Sequence, residues 1–486
     1  MNVISEQHFR PSYHFTPREN WLNDPNGMVF FNGEYHLFFQ HHPYGTFNGP
    51  MHWGHAISSD LVRWEEQQVA LKPDELGVIF SGSAVVDWKD TTGFFDGKPG
   101  LVAIFTHHYH EPGTEHALQR QSLAYSADSG RTWVKYEGNP VLSDDRFIDF
   151  RDPKVIWHEE TLKWVMILAC GQTVCIYTSP NLKDWEFASE FGQNIGSHDG
   201  VWECPDLFQL SVDGDSSRTK WVMIVSIGSE PEFMEGSRTQ YFTGEFDGRT
   251  FVHDEDSKRV RWLDSGRDNY AGVTWSDIPS EDGRRIFIGW MSNWKYAGLT
   301  PTEGWRGAMT TPRELTLESR NGEIKLIQRP VREFSTLRKP LLSLKDSTLA
   351  DANARLAELA LDSYELVCDI QTNESFSLRL RTSAEQETVV GYRPDLTELF
   401  VDRTRSGKTD FHKDFSGGNP IKLTTTSPNR VELRIYVDGS SLEVFASDGE
   451  AVFTNLIFPD SDAMGLGIVS EDHNAILHSL DIYLLS

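Results

Sequence analysis

The hexapeptide Ser59-Asp60-Leu61-Val62-Arg63-Trp64 recurs in weaker form further along the chain. The related stretches are Asp128-Ser129-Gly130-Arg131-Thr132-Trp133 and Pro180-Asn181-Leu182-Lys183-Asp184-Trp185. In each, an Asp or Asn side chain can fold a turn, and the Trp leads into the next strand. The tryptophans follow one another at intervals of 69 and 52 residues, which fits four-stranded sheets repeated around an axis. The repeat predicts a β-propeller; the alternative is hairpins whose turns are alike by coincidence.

The rest of the chain also has an all-β pattern. Short runs of β-branched and aromatic residues are separated by turn signals such as Asn32-Gly33 and Asp247-Gly248, and long amphipathic helices are almost absent. Examples of these runs are Leu101-Val102-Ala103-Ile104-Phe105, Lys220-Trp221-Val222-Met223-Ile224-Val225 and Arg285-Ile286-Phe287-Ile288-Gly289-Trp290. We therefore expect an all-β fold.

The residue composition and strand pattern change near residue 335, which suggests a second domain. The length of 486 residues also favours two domains. Tryptophan does not occur after Trp305, and alternating strands resume from about Tyr364. Asp438-Gly439 lies between two such strands and is a hairpin signal. We expect a catalytic propeller at 1–335, a linker at 336–350 and a C-terminal β-sandwich at 351–486.

The charge balance narrows the classes of partner. The formal net charge is −27 and is spread along the chain. Such a chain repels phosphate backbones and anionic membrane surfaces, so we expect neither nucleic acid nor a membrane as a partner. A neutral small molecule or oligosaccharide is favoured as the substrate.

The cellular location is predicted from the N-terminus and the cysteines. Residues 1–8 lack a basic start and an apolar signal core, and the four cysteines form no paired framework and no Cys-x-x-Cys metal spacing. We expect a cytoplasmic protein that contains free thiols. A secreted protein from which the signal has been removed is the alternative.

Three carboxylates stand close to prolines and near apolar, strand-like runs: Asp24, Asp152 and Glu203. Their contexts are Trp21-Leu22-Asn23-Asp24-Pro25-Asn26-Gly27, Arg151-Asp152-Pro153 and Glu203-Cys204-Pro205-Asp206. In a propeller, the innermost strand of each blade lines one central funnel, so residues that are distant in sequence can meet there. Glycosidic cleavage with retention needs an acid for the leaving oxygen and a nucleophilic carboxylate about 5–5.5 Å away. The pattern therefore indicates glycosidic chemistry. A turn-capping Asp24, an Arg151–Asp152 pair that only ties strands and a surface Glu203 are the alternatives.

These three motifs resemble the signatures of glycoside hydrolase family 32, the β-fructofuranosidases. The similarity extends along nearly the whole chain and keeps the order of the family's motifs. Supporting stretches are Phe38-Phe39-Gln40, His52-Trp53-Gly54-His55-Ala56, Phe80-Ser81-Gly82-Ser83, Gly289-Trp290-Met291 and Val437-Asp438-Gly439-Ser440-Ser441-Leu442-Glu443-Val444-Phe445.

The resemblance implies a five-bladed propeller followed by a β-sandwich, and retaining hydrolysis of terminal β-linked fructose. On matching positions Asp24 would be the nucleophile and Glu203 the general acid/base. Asp152, with Arg151 beside it, would hold fructose hydroxyls and stabilise the transition state. The residues that would line the fructose pocket are Asn23, Gln40, Trp53, Phe80, Ser81 and Trp294. For each of these singly, core packing or strand hydrogen bonding is the alternative.

One position departs from the family pattern. Many relatives have a Trp eight residues after the pocket Gln, whereas this chain has Asn48 there, in Gly45-Thr46-Phe47-Asn48-Gly49. Either Phe47 substitutes as the aromatic wall, or the rim of the pocket is more open and polar.

The stretch Asp268-Asn269-Tyr270-Ala271-Gly272-Val273-Thr274-Trp275-Ser276-Asp277 is similar to levanases and exo-inulinases of that family. We therefore expect an exo-acting hydrolase of levan- and inulin-type fructans, fructo-oligosaccharides and sucrose. One alternative is a hydrolase of sucrose or sucrose-phosphate with little fructan activity, and another is a fructosyltransferase. An alternative of another class is a non-catalytic fructan-binding propeller.

We expect no cofactor, because this chemistry requires none, and no metal. His107-His108-Tyr109-His110 is the one stretch that suggests metal binding. Adjacent strand side chains point to opposite faces, however, and no acid or Cys spacing completes a ligand set.

Overall fold

The structure, a computed structural model, describes residues 8–111, 113–114, 117–230, 232–254, 259–418, 420–423, 425, 427–472 and 474–485. Almost all regular structure in these ranges is β-strand. The exceptions are helix α1 (Leu349–Leu356) and short 3-10 helices at Ala297–Leu299, Arg332–Leu337 and Ser447–Gly449. No helix in the described ranges is long and apolar enough to cross a membrane. Residues 1–7, on which the expectation about an export signal was based, lie outside the described residues.

The first part of the chain forms five antiparallel groups of strands, blades I to V, of which the last two are joined into one sheet by a parallel pairing at Val212 and Leu317. Blade I contains β1 (Asn20–Phe31), β2 (Glu34–His42), β3 (His52–Ser58) and β4 (Glu65–Glu66). Blade II contains β5 (Val78–Asp87), β6 (Gly100–His110), β7 (Ala117–Ser126) and β8 (Val134–Lys135). Blade III contains β9 (Phe150–His158), β10 (Lys163–Cys170), β11 (Thr173–Ser179) and β12 (Glu186–Phe191).

Blades IV and V complete the ring. Blade IV contains β13 (Trp202–Val212), β14 (Asp215–Ile227), β15 (Arg238–Phe246) and β16 (Phe251–His253). Blade V contains β17 (Tyr270–Thr274), β18 (Arg285–Trp290), β20 (Arg313–Arg320) and β21 (Glu323–Pro330), and β19 (Trp305–Arg306) pairs in parallel with the start of β1. The first strands of the blades contact one another in the order β1, β5, β9, β13, β17 and back to β1. The expected all-β class with a five-bladed propeller is confirmed.

The repeated hexapeptide forms the turn between the third and fourth strands of blades I to III. The indole nitrogens of Trp64, Trp133 and Trp185 each donate to the carbonyl three residues earlier, at 3.2, 3.1 and 2.8 Å. The Asp or Asn of each repeat accepts backbone N–H bonds from the residues that follow it. Leu61 and Leu182 take left-handed φ values of 63° and 64° in this turn. Local side-chain hydrogen bonding therefore explains why a short motif recurs once in each of these three blades.

The second part of the chain is a sandwich of two sheets. One sheet has the order β22 (Arg338–Thr348), β32 (Ile476–Leu485), β23 (Tyr364–Gln371), β28 (Arg430–Asp438), β29 (Ser441–Ala446) and β30 (Ala451–Leu456). The other has the order β27 (Ile421–Lys422), β26 (Glu398–Arg405), β25 (Glu387–Arg393), β24 (Phe376–Thr382) and β31 (Gly465–Ser470). Their apolar inner faces share one buried core. The hairpin expected at Asp438-Gly439 joins β28 to β29.

The interval 336–350 differs from the linker expected there. Most of it is strand β22, which pairs antiparallel with β32, the last strand of the sandwich. The mixed, polar sequence of β22 is explained by its position, because it is an edge strand and most of its side chains are at least partly exposed. We propose that the sandwich begins at β22, so that no free linker separates it from the propeller.

Buried charges join the two parts. Arg313, on β20, donates to Asp264 at 3.0 Å and to the Glu443 carboxylate on β29. His14 lies between Asp438 and Glu443, with each ring nitrogen 2.8 Å from a carboxylate oxygen. All of these side chains are almost completely shielded from solvent. Breaking one partner of such a buried pair typically costs about 3–5 kcal/mol, so the contact between propeller and sandwich is specific.

Candidate active site

The first strand of every blade is interrupted by a β-bulge or register shift near its start. The shifts lie at 22–25 and 26–29 in β1, 79–82 in β5, 151–154 in β9, 203–206 in β13 and 270–273 in β17. Pro25, Pro153 and Pro205 fall within three of them, where the missing N–H of proline breaks no ladder bond. Asp152 and Cys204 have left-handed φ values of 63° and 46°. Because a bulge re-aims side chains, these irregularities explain how residues of different blades turn into one site.

Asp24, on β1, is buried and surrounded by donors. Its Oδ2 accepts a hydrogen bond of 2.7 Å from the Ser81 hydroxyl on β5, and its Oδ1 accepts one of 3.0 Å from the Asn23 amide. Burial raises the pKa of Asp24, and the negative charge of Glu203 raises it further, whereas these donors lower it. The donors therefore offset part of the cost of keeping a buried carboxylate ionised.

Asp152, on β9, is the second buried carboxylate. Its Oδ2 accepts a 3.0 Å hydrogen bond from the backbone N–H of Cys204. Burial raises the pKa of Asp152 to about 7; Arg151 opposes this shift, and the charges of Glu203 and Asp24 add to it. The three acids are thus close enough to influence one another electrostatically.

Glu203, on β13, is less buried than the two aspartates, with about a fifth of its side chain exposed (22%). Arg151 donates to its Oε1 at 2.9 and 3.3 Å, and the Tyr270 hydroxyl donates to its Oε2. Arg151 also contacts Asp149 and Gln119. Both carboxylate oxygens are therefore oriented by groups from the two neighbouring blades.

The thiol of Cys204 lies between the two aspartates. Its Sγ is 3.4 Å from Asp24 Oδ2 and 3.5 Å from Asp152 Oδ2. The two carboxylate oxygens can therefore be no further apart than the sum of these two distances. Burial raises the pKa of the Cys204 thiol well above its usual value, and the surrounding carboxylates raise it further. A thiol that stays protonated can serve both carboxylates as a weak donor.

The other candidate residues form two groups around this centre. Asn23, Ser81 and Arg151 contact the acids directly. The remaining four contact the acids through neighbours or lie further out: Gln40, Trp53, Phe80 and Trp294.

Two of these four are held by polar contacts. Gln40 is buried and donates to the Asn26 side chain at 2.8 Å. Trp53 is completely buried, and its indole N–H donates to the Phe80 carbonyl at 3.0 Å. Gln40 is therefore held within blade I, and Trp53 is held between blades I and II.

The remaining two are held by ring contacts. The Phe80 ring stacks on His108 with centroids 4.3 Å apart. Trp294 stacks on Trp21 at 6.0 Å, and the Trp21 indole donates to Asn23 at 2.7 Å. A chain of contacts thus links Trp294 to Asp24 through Asn23.

Two residues of the site were not singled out from the sequence. Tyr270 lies in the stretch that is similar to levanases and exo-inulinases, but its bond to Glu203 crosses from blade V to blade IV and has no local signal. Cys204 belongs to the Glu203 motif, yet only the left-handed backbone turns its thiol and its N–H toward the aspartates.

The histidine run at 107–110 has other contacts. His107 Nδ1 lies 2.7 Å from the Ser122 hydroxyl, and its Nε2 lies 3.2 Å from Asp74. His108 stacks on Phe80. Among the residues that the structure describes, no group of three or more His, Cys, Asp or Glu side chains is arranged to hold a metal ion.

This arrangement provides the groups that acid-assisted nucleophilic substitution at an acetal carbon requires. Asp24 is a buried carboxylate with fixed donors, and Glu203 is a partly exposed carboxyl held by an arginine and a phenol. Two carboxyls in unlike surroundings can divide the roles of nucleophile and acid. A third, Asp152, is a further carboxyl group that can stabilise positive charge when it is ionised.

Comparisons with known proteins agree with this chemistry. Residues 14–330 match the model of the glycosyl hydrolases family 32 N-terminal domain, and residues 333–483 match that of the family 32 C-terminal domain. A levanase of Bacillus subtilis is 49% identical over 486 residues, covering 99% of this chain and 71% of that protein. An extracellular exo-inulinase of Aspergillus niger is 40% identical, covering 98% of this chain and 95% of that protein.

Solved structures are similar over their full length. The crystal structure of an exo-inulinase from Aspergillus awamori has a TM-score of 0.89 and 36% identity, covering 99% of both chains. A fructofuranosidase from Schwanniomyces occidentalis, complexed with fructose, has a TM-score of 0.87 and 30% identity and covers 100% of both chains.

The expected cytoplasmic location is contradicted by these relatives. The exo-inulinases of Aspergillus niger, Aspergillus awamori and Meyerozyma guilliermondii are all named extracellular. The prediction was wrong because neither the composition of residues 1–8 nor unpaired cysteines exclude export.

Proposed function

The chain belongs to glycosyl hydrolase family 32, and on this premise we propose a retaining exo-hydrolase that releases terminal non-reducing β-D-fructofuranosyl residues from fructans. The substrates are levan- and inulin-type fructans, fructo-oligosaccharides and sucrose. That the chain is a glycoside hydrolase acting on β-fructosides follows from the family and from its levanase and exo-inulinase relatives. The proposal adds the roles of the individual residues and the preference for fructans.

The observation that carries the proposal is the meeting of three carboxylates from three blades. Asp24 and Asp152 contact the same Cys204 thiol, and Glu203 is the residue immediately before it. A non-catalytic sugar-binding propeller has no need to gather three buried or half-buried acids, because their mutual repulsion costs free energy. A site that stabilises an oxocarbenium-like transition state does need them.

In the proposed first step, Asp24 attacks the anomeric carbon C2 of the terminal fructose, and Glu203 gives its proton to the departing glycosidic oxygen. The C2–O bond breaks, and a covalent fructosyl ester forms on Asp24. While Glu203 holds its proton, its repulsion of Asp24 is absent, which favours the ionised nucleophile.

In the second step, Glu203 takes a proton from water, and the resulting oxygen attacks C2. The ester bond breaks, fructose leaves with retained configuration, and Asp24 regains its charge. Asp152 and Arg151 would bind the fructose hydroxyls throughout. Attack by a sugar hydroxyl instead of water would give fructosyl transfer.

Release of fructose from levan, inulin, kestose, sucrose and sucrose-6-phosphate tests the substrate assignment. We expect fructose from the first four, with levan and inulin shortened from their ends. Endo-cleavage, or activity on sucrose-6-phosphate alone, would contradict it. The size of the products at high sucrose concentration separates hydrolysis from transfer.

Substitution of Asp24 tests the mechanism. Asp24→Asn removes the nucleophile but keeps its shape, and we expect kcat to fall about 10⁴-fold or more. Because burial raises the pKa of Asp24, the neutral amide should leave the thermal stability unchanged or higher. The matched control is Asp145→Asn, which removes an exposed carboxylate and should leave kcat unchanged. Full activity of Asp24→Asn would refute the assignment.

A further inference from the structure

A second cavity lies at the opposite end of the central strands from the carboxylates. Its volume is about 370 Å³, and it is lined by Val85 to Trp88 of blade II, Val155 to Trp157 of blade III, and Ser276 and Asp277 of blade V. These residues follow Ser81, Asp152 and Tyr270 along the same three blades. At about 3.3 Å per residue, the cavity is on the order of 10–20 Å from the acids.

Buried charges close the channel between the two sites. Lys154 Nζ donates to the Thr274 carbonyl at 2.6 Å and lies 3.4 Å from Asp206 Oδ2. The same Asp206 oxygen accepts a bond of 2.6 Å from the Thr274 N–H. The second cavity is therefore separate from the active site and opens on the other face of the propeller.

Trp88 is the feature of this cavity that points to a ligand. It directly follows β5 and is 56% exposed, which makes it the most exposed tryptophan among the described residues. Its indole N–H donates to Asp277 Oδ1 at 2.8 Å, and Asp277 Oδ2 accepts the N–H of Val86 at 2.9 Å. The ring is thus exposed to solvent, yet its orientation is fixed by a carboxylate from another blade. A large aromatic ring that is both exposed and held in place offers a stacking surface at low entropic cost.

The polar lining favours a neutral, hydroxyl-rich ligand. Arg285 donates a hydrogen bond of 3.2 Å to the Trp275 carbonyl, and its guanidinium lies 5.3 Å from the ring centre of Phe208. Lys89 Nζ lies 4.9 Å from the ring centre of Trp157, whose indole N–H donates to Glu159. Cationic and carboxylate side chains thus line the same cavity. An anion would meet the carboxylates, whereas sugar hydroxyls can donate to the acids and accept from the cations.

We propose that this cavity is a second, non-catalytic binding site for a β-fructan, which holds a segment of the polymer away from the end being cleaved. The inference rests on the proposed function, since it takes the same class of substrate. A polymer bound at both sites gains affinity from the high local concentration of its second segment. Sucrose and kestose are too short to do so, and their turnover is independent of the cavity.

Binding and kinetics with and without Trp88 test the proposal. Retardation in native gels containing levan is measured for Asp24→Asn with excess fructose present, and for the same variant carrying Trp88→Ala. We expect Trp88→Ala to weaken levan binding about three- to tenfold, as loss of one aromatic contact does. In the otherwise wild-type enzyme, Trp88→Ala should lower kcat/KM on levan by a similar factor and leave kcat/KM on sucrose unchanged.

Two further variants give matched comparisons. Phe187→Ala removes another exposed ring of the propeller, on the outer strand β12 of blade III, and should leave levan binding unchanged. Trp88→Phe keeps a ring without the bond to Asp277 and should retain part of the binding. Melting temperatures of all variants show whether the fold is intact.

A measurement on the unmutated enzyme covers the case in which Trp88→Ala does not fold. Mild oxidation with N-bromosuccinimide, followed by peptide mass spectrometry, should modify Trp88 early because it is so exposed. Levan should protect Trp88, whereas sucrose and dextran should not.

Unchanged levan binding by Trp88→Ala, an equal loss in Phe187→Ala, or no protection by levan overturns the proposal. A parallel fall of kcat/KM on sucrose overturns it as well. Failure of the proposed function has a different readout, because the wild-type enzyme would then release no fructose from either substrate.

Discussion

Tyr270 donates the hydrogen bond of its phenol to Oε2 of Glu203 and so joins the first strand of blade V to that of blade IV. Arg151 binds the other oxygen from blade III. The Glu203 carboxyl is therefore held between two blades and has little freedom to rotate. An acid that must first protonate a leaving group and then deprotonate water benefits from such a fixed direction.

Tyr270→Phe should lower kcat about 10- to 100-fold with little change in KM, because a hydrogen bond to a charged group is worth about 1.5–3 kcal/mol. Initial rates on sucrose over a range of concentrations separate the two constants. Tyr483→Phe, a partly exposed tyrosine in the sandwich, is the control and should behave as wild type. A kcat for Tyr270→Phe within twofold of the wild-type value would mean that Arg151 alone orients the acid.

Asp152→Asn should abolish most of the activity and yet stabilise the protein at alkaline pH. Burial raises the pKa of Asp152 to about 7, so between about pH 4 and 7 the folded state holds a proton that the unfolded state has lost. The contribution of this group to the free energy of unfolding therefore falls as the pH rises through that window. Asparagine stays neutral and removes the fall.

Chemical denaturation at pH 5 and pH 8 measures this effect. The quantity to compare is the free energy of unfolding of Asp152→Asn minus that of the wild type, at each pH. This difference should be on the order of 1–3 kcal/mol more favourable to the variant at pH 8 than at pH 5. An equal difference at both pH values would show that Asp152 does not change its protonation state in this range.

His14→Gln should remove a loss of stability at alkaline pH. Hydrogen bonds and the charges of Asp438 and Glu443 outweigh the opposing effect of burial and raise the pKa of His14 to about 9. The stabilisation is fully present below about pH 6.5 and is lost as the pH rises through 9, because the folded state must then give up this proton. The wild-type protein should lose on the order of 3 kcal/mol between these pH values because of this group, whereas the variant should be less stable at pH 6 and should lack this loss.

Thermal melts at pH 6, 7.5 and 9 check this, with the exposed His110→Gln as the control. His14 contacts two carboxylates of the sandwich. The pH-dependent loss of stability should therefore be clearest if unfolding begins with the separation of the propeller from the sandwich. A pH slope that persists in His14→Gln would assign the alkaline loss to other groups.

Phe47→Ala should raise KM for kestose about three- to tenfold and leave kcat nearly unchanged, because the ring would contact only the leaving sugars. The side chain is 57% exposed in the loop between β2 and β3, and Arg306 on β19 donates to the Thr46 carbonyl of that loop at 2.9 Å. Asn48→Ala, in the same loop, is the matched comparison. If Asn48→Ala raises KM while Phe47→Ala does not, the rim is polar and Phe47 is not the aromatic wall.

Much of the site was predicted from the sequence because its signals are local. The three acids close to prolines indicated glycosidic chemistry, and the structure has a bulge or register shift at each of these places. Asn23, Ser81 and Arg151 contact the acids, and their roles stay predictions. Tyr270 and the Cys204 thiol were missed, because their partners lie in other blades and nothing in the neighbouring sequence indicates them.

The sequence by itself determined the class of fold and the chemistry of the site. Each hexapeptide turn closes through hydrogen bonds among a few successive residues, so its motif is sufficient to specify it. The tertiary structure alone decided which atoms meet, such as Cys204 Sγ with Asp24, 180 residues away, and the strand that occupies the expected linker. The reason is physical: closing the ring of blades and pairing β22 with β32 depend on the packing of the whole chain, which no local pattern encodes.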